Sequence, residues 1–252
     1  MEFEEICAPV SRDSLTQRVA AQIQDTILNN RFEPGSRIPS ERRLAELLGV
    51  SRIVVREAIK MLQQRGLLEV HSGRGTFVSE LKPSTISESL AIYLEQQKAT
   101  TRDLQEIRLV LETAMAAMAA QRATPSDLER IQEAIERHRR ALQRMQFQGM
   151  SEAAFADFIY ADIDFHYAIA LASRNPLFVL FISTLNDLMI EVRRAASPDT
   201  QAISRALAYH EAIYQAIKRQ EPEAARTHML GHLEFVGYMV ERRQSEQGGS
   251  EI

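Results

Sequence analysis

The sequence predicts a mainly α protein in two parts, an N-terminal winged helix-turn-helix domain and a C-terminal all-α helical bundle. Three observations carry this. Two short helical segments, "ERRLAELLG" and "SRIVVREAIK", are separated only by Gly49-Val50-Ser51, the outline of a helix-turn-helix. "LLEVH" and "TFVSE" flank "SGRG", which reads as two strands around a hairpin turn, the wing. Beyond residue 80 every segment has helical spacing, with no β-rich stretch or internal repeat.

Taken in order, residues 13–30 place Leu15, Val19, Ile23 and Ile27 on one face of an amphipathic helix. "RFEPGSRIPS" is a turn, with Pro34-Gly35 and then Pro39. Ser40 precedes a helix that stops at Gly49. Ser51 caps the next helix, whose buried stripe is Val55, Ile59 and Leu62 and whose end lies near Gly66. "LKPST" (81–85) predicts a linker between a domain at 1–80 and a helical domain at 86–252. In the latter, helices are expected at 86–97, 102–122, 126–147, 151–173, 176–196, 201–219 and 221–245. Pro125, Pro176 and Pro222 mark restarts, because proline suits a first helical turn.

The totals exclude several classes. The 252 residues are 45% hydrophobic and 25% charged, ordinary for a globular protein. No apolar run is long enough for a transmembrane helix, and "MEFEEICAPV" does not resemble a secretory leader. The lone Cys7 permits no internal disulfide and fits a cytoplasmic protein. A net charge of −4 argues against coating nucleic acid over the whole surface. The distribution is more telling: residues 31–78 carry 9 Lys and Arg against 5 Asp and Glu, a local basic footprint.

Within that footprint Arg52 and Arg56 sit one turn apart at the start of a helix, where the macrodipole already disfavours cations. An external anion explains them. Arginine binds phosphate or the guanine edge bidentately, an α-helix fits the major groove, and the first residues of a recognition helix reach the bases. Ile53, on the edge of the same strip, suits a thymine methyl; Arg42 and Arg74 extend the basic surface on either side. A lone R-x-x-x-R is usually a solvated pair; the tight turn before it and the glycine-rich hairpin after it favour the DNA reading. Residues 39–78, with P-S-E-R-x-L-A, S-R-x-x-V-R-E-A and G-x-G-T-F-V, closely resemble the winged helix-turn-helix of the GntR family of bacterial transcription regulators. The resemblance implies that Arg42, Ser51, Arg52, Arg56 and Gly73 contact double-stranded operator DNA. Ile53 and Val54 fall where smaller or hydroxyl residues are frequent.

The helical half holds a second signal. In "ADIDFHYAIA" Asp162 and His166 are four apart on an apolar face, with Asp164 pointing the other way. His210 shares a face with Ala206, Ile213 and Ile217; His232 shares one with Ala225, Met229 and Val236. Left unpaired, such groups would cost heavily in desolvation; a divalent transition metal (Zn, Ni, Mn or Fe) would satisfy them together. Spacing alone leaves open that each histidine is an ordinary satisfied core residue. "DIDFHYAIALASRNP…H…ARTHMLGHL" resembles the FCD-type ligand-binding domain of the FadR-like subgroup, whose members often bind a metal. That implies Asp162, His166, His210 and His232 as ligands, with His228 as a substitute for His232 or its neighbour. Arg108 and Glu112 read either as a helix-stabilising ion pair or, as the resemblance implies for the arginine, as a group facing the effector cavity. The basic runs "ERHRRALQR" and "EVRRA" read as solvated faces.

These readings converge on a ligand-responsive transcription regulator. Its expected effector is a small carboxylate, a hydroxy- or keto-acid, drawn by a metal and Arg108. One reader domain buries too little DNA for tight specific binding, so a homodimer on an inverted repeat is expected, its contacts in the helical half. The rivals are a metal-dependent enzyme and a pure metal sensor using the same Asp and His residues. No HExxH helix, nucleophile motif or phosphate-cradling loop supports an enzyme.

Overall fold

The computed structural model describes residues 13–29, 32–80, 83–196 and 199–247, and the chain divides into two compact units, Met1–Lys82 and Pro83–Ile252. The first contains α1 (Asp13–Asn29), α2 (Glu41–Leu48), α3 (Arg52–Gln64), β1 (Leu68–His71) and β2 (Gly75–Val78). Local chemistry sets its boundaries. Ser40 Oγ accepts from Arg43 N at 3.3 Å and caps α2; Gly49 ends it at φ +66°, a conformation that favours glycine. Ser51 Oγ accepts from Val54 N at 3.3 Å and starts α3. Val19, Ala20, Ile23 and Ile27 of α1 pack with Leu44, Val55, Ala58, Ile59 and Leu62 into one core, closed by Leu68 and Val78 of the hairpin. The strands pair antiparallel, Leu68 opposite Val78 and His71 opposite Gly75. The "RFEPGSRIPS" segment does more than turn. Gly35 N and Ile38 N donate to Val78 O and Thr76 O at 2.8 and 3.0 Å, so it lies along the free edge of β2.

The second unit is all α among the described residues: α4 (Pro83–Gln96), α5 (Thr101–Arg122), α6 (Pro125–Gln148), α7 (Glu152–Ala172), α8 (Pro176–Ala196), α9 (Thr200–Lys218) and α10 (Pro222–Gln247). Residues 83–85, expected in a linker, are the first turn of α4, with Pro83 at its start; residues 81–82 lie outside the described residues. Several of the other helices begin at side-chain caps. Thr100 and Asp103 cap α5 reciprocally, Asn175 Oδ1 accepts from Leu177 N at 3.0 Å, and Asp199 Oδ1 accepts from Ala202 N at 2.7 Å. Helix α7 is central: it packs against α5, α6 and α8, while α10 packs against α5, α8 and α9. Phe165 and Ile169 of α7, Met115 of α5, Ile131 of α6, Ile203 and Ile213 of α9 and Leu233 of α10 share one core. This packing brings polar side chains of α5, α7, α8, α9 and α10 into a common interior.

Candidate functional site

In the first unit the basic strip stands on α3. Arg52 is exposed and makes no hydrogen bond or ion pair with any described residue. Ile53 beside it is 74% exposed. Val54 is half-buried and packs on the unit's core, so Ile53 is the apolar side chain that α3 presents outward. Arg42 is exposed on α2, with Nη1 3.7 Å from Glu46. Arg56 behaves differently from Arg52: its guanidinium is held by Glu41, the first residue of α2. At the hairpin tip Gly73 has φ +73°, and Arg74 N closes the turn on His71 O at 3.0 Å. Gly75, the second glycine of the G-x-G-T-F-V motif, has φ +112°, and a Cβ there would lie 2.8 Å from Arg37 Nε. The wing therefore favours glycine at 73 and 75 for their left-handed backbone, the Arg37 side-chain end being free to shift.

In the second unit Asp162, His166, His210 and His232 each offer one ligand atom, and the four atoms lie within 4.8 Å of one another. His232 Nε2 is 3.3 Å from His210 Nε2 and 3.3 Å from His166 Nε2. Asp162 Oδ1 is 3.4 Å from His210 Nε2 and 3.8 Å from His166 Nε2. All three imidazoles are essentially inaccessible to solvent. His228 is half-buried and outside this group.

The donor set fits a metal. Donors bound about 2 Å from a shared ion lie roughly 3 Å apart, and imidazole with carboxylate suits Zn, Ni, Mn or Fe. Protons do not resolve the arrangement, because one proton on His232 Nε2 can serve only one of its two neighbours. Burial, with the neighbouring histidines, pushes His210 well below and His232 down to about 3, so both present lone pairs. His210 Nδ1 and His232 Nδ1 have no hydrogen-bond partner among the described residues. Burial pulls His166 down too, but Glu112 and Asp162 outweigh it and raise it.

Outside the four donors lies a network of charges. His166 Nδ1 contacts the Glu112 carboxylate, a partner that fixes which ring nitrogen points inward. Glu112 in turn accepts from Arg108 Nε at 2.6 Å, both side chains being at most 2% exposed. Burial alone would raise Glu112; Arg108 and His166 hold it far below the usual range instead. The two sequence alternatives for Arg108 are thus compatible: it is ion-paired, and it also lines a cavity of about 60 Å³ beside the cluster. Asp162 is bound from behind, its Oδ2 3.1 Å from Arg193 Nε, and Arg193 Nη2 donates to Asn186 Oδ1 at 2.9 Å. Burial raises the Asp162 carboxyl, yet His166, Arg193 and His210 together keep it well below normal. Burial, with Arg108 nearby, lowers Arg193 to about 10.

Arg193 corrects the expectation that "EVRRA" is a solvated face. It continues the buried stripe of Asn186 and Met189 on α8, a spacing of three and then four residues that the two adjacent arginines obscured. The arginines of "ERHRRALQR" do face solvent, Arg137 and Arg144 being about half exposed, but one residue among them does not. His138 is fully buried, continues the stripe Ile131, Ala134, Ile135, Ala141 and Leu142, and stands 5.0 Å from His210, centroid to centroid. Burial pushes it down to about 4.

The bacterial regulatory proteins, gntR family, match residues 15–78, and the FCD domain matches residues 103–235. The HTH-type transcriptional regulator LutR of Bacillus subtilis is 33% identical, covering 86% of this chain and all of that protein. The HTH-type transcriptional repressor NanR of Cronobacter sakazakii is 30% identical, covering 90% of this chain and 86% of the relative. A solved Streptococcus agalactiae GntR structure superposes with a TM-score of 0.69 at 26% identity, covering 91% of this chain and 99% of that one. No described helix is long and apolar enough to cross a membrane. A helix-turn-helix with exposed arginines, joined in one chain to a helical unit, agrees with these matches: the chain belongs to the GntR family of DNA-binding transcription regulators, in its FCD-containing branch, and is not an enzyme.

Proposed function

We propose that this regulator is a cytoplasmic homodimeric repressor whose operator affinity is set by a small hydroxy- or keto-acid bound at a metal held by Asp162, His166, His210 and His232. The observation that carries the reading is the convergence of one carboxylate oxygen and three Nε2 atoms within 4.8 Å, next to a cavity walled by Arg108 and Arg193. When bound, a divalent ion would supply positive charge and open coordination positions for an acid. The surrounding charges support this. Asp162 and Glu112 balance Arg193 and Arg108, so the ion's own charge would be left for an anion to meet. Apart from Arg108, Asp162 and Arg193 the cavity lining is apolar, with Phe158, Met189, Ile203 and Val236 among its walls. A small acid fits such a site better than a polyhydroxylated one, whose buried hydroxyls would lack partners.

For operator binding we assign the DNA face to Arg42, Ser51, Arg52, Ile53, Val54, Arg56, Gly73 and Arg74, with domains at 1–80 and 86–252 joined near 81–85. Val54 serves chiefly to seat the start of α3. Two readers on a two-fold dimer supply the contact area that one lacks.

The test begins with metal alone. At an ion concentration about a hundred times its Kd, binding stabilises by roughly 2.7 kcal/mol, a rise in melting temperature of about 5–10 °C for a unit of this size. His210→Ala should abolish that rise and the response to hydroxy- and keto-acids, yet leave binding to a selected DNA duplex intact. Allosteric coupling of typical strength would make the acid change wild-type operator affinity about 5- to 150-fold. No bound metal, no stabilisation by any of the four ions and a normal acid response in His210→Ala would sink the metal reading. A monomeric mass by light scattering at micromolar concentration would sink the dimer.

A further inference from the structure

The three cations along α3 are not equivalent. Lys60 pairs within its own helix, Nζ 2.8 Å from Glu57. Arg52 has no partner among the described residues. Arg56 reaches back to α2: its Nε lies 3.2 Å from each oxygen of Glu41, and its Nη2 lies 3.0 Å from Oε2. This is a side-on grip. It occupies the Nε–H and one Nη2–H, and it leaves the outward edge, one N–H from Nη1 and one from Nη2, unused. Glu41 is itself anchored as the first residue of α2 behind the Ser40 cap, so the guanidinium plane is fixed by a second helix rather than by its own flexible stem.

We infer that Glu41 is a positioning residue for base readout: by gripping Arg56 side-on it aims the guanidinium's outward edge and makes Arg56 selective for guanine. The outward edge matches the O6 and N7 acceptors that guanine presents in the major groove. A fixed plane forfeits less entropy on forming the two bonds than a free arginine does. The pair is also neutral overall. Neutralising phosphates with free cations is what gives salt-dependent, sequence-independent affinity, and Glu41 withholds Arg56 from that role. Arg52, with no partner among the described residues, keeps its full charge for whatever the DNA offers it. Of the two arginines, Arg56 is thus the one committed to discrimination.

The test is binding selection from a randomised DNA duplex, applied to the full chain as wild type, Arg56→Ala and Glu41→Gln. Arg56→Ala should lose one preferred guanine per half-site, which identifies the base that Arg56 reads. Glu41→Gln should lose preference at that same guanine by about fivefold or more, since a good bidentate contact discriminates by that much, and leave the other positions unchanged. Binding to unrelated duplex should rise, with the salt slope steeper by about one as the released cation meets phosphate. Glu41→Ala, which removes the carboxylate without adding amide donors, should agree. A merely structural role for Glu41 would lower affinity at all positions alike. That result, retention of the guanine preference in both Glu41 variants, or a uniform loss in Arg56→Ala, would overturn the assignment.

Discussion

The two units of this protein treat charge in opposite ways. In the reader, Arg42 and Arg56 have side chains 78% and 53% exposed, and Arg52 has no partner among the described residues. In the helical unit Arg108 is 2% exposed and His166, His210 and His138 are at 0%. DNA brings its own dense charge and a hydrated surface, so cations that wait in water lose little on meeting it. A small acid offers few atoms, and discrimination requires a dry enclosure in which every buried charge is balanced in advance. The reader should therefore tolerate loss of one exposed charge, and the helical unit should not tolerate loss of a buried one.

The largest expected effect follows from that balance. Arg108→Ala strips Glu112 of the guanidinium 2.6 Å away and leaves a carboxylate that is 1% exposed. Removing one partner of a buried pair typically costs 3–5 kcal/mol; with His166 still touching Glu112, about 3 kcal/mol is expected in urea denaturation of the helical unit. Replacing both, as Arg108→Met with Glu112→Leu, should restore most of that stability while removing the clamp proposed for the acid. A single variant as stable as wild type would mean that the buried charges are not mutually compensating.

Next in size is Arg52→Ala. If Arg52 makes a bidentate base contact, operator affinity should fall roughly 5- to 150-fold, with no change in melting temperature because no described residue of the reader bonds to its side chain. If it touches phosphate alone, operator and unrelated duplex should weaken together and the salt slope should shrink by about one. Fluorescence anisotropy against both duplexes at several salt concentrations separates the two.

What was legible in the sequence divides along the same line. The reader could be followed almost residue by residue, because its signals are local: Ser40 and Ser51 cap, Gly49 stops, and the hairpin turns at Gly73. The edge contact of residues 35–38 with β2 was not legible, since it rests on three backbone hydrogen bonds around one bridge at Arg37 and Phe77, too short for a strand pattern in the sequence. In the helical unit Asp162, His166, His210 and His232 were legible as polar residues on otherwise apolar stripes. Their convergence needed α7, α9 and α10 to meet, which spacing cannot state and the resemblance supplied. Arg193 and His138 sit on equally regular stripes, yet adjacent charges made those segments read as solvated. Glu112 was seen only as the partner of Arg108, because its contact with His166 exists only once α5 packs on α7. The early start of α4 at Pro83 follows the rule already used at Pro125, Pro176 and Pro222.

The smallest expected effect tests whether the reader's surface can be separated from its scaffold. Ser40 and Ser51 make the same cap, each Oγ accepting a backbone N–H at 3.3 Å, at the starts of α2 and α3. Replacing either by alanine should cost about 1 kcal/mol of stability in the reader, and the two variants should melt alike. Only Ser51 stands at the end of α3 assigned to the groove, one residue before Arg52, where a hydroxyl can also serve a phosphate. Ser51→Ala should therefore weaken binding to operator and unrelated duplex alike by a few-fold, beyond any loss in Ser40→Ala at equal stability. Equal DNA affinity in the two variants would confine Ser51 to capping, and the groove contacts of α3 would then begin at Arg52.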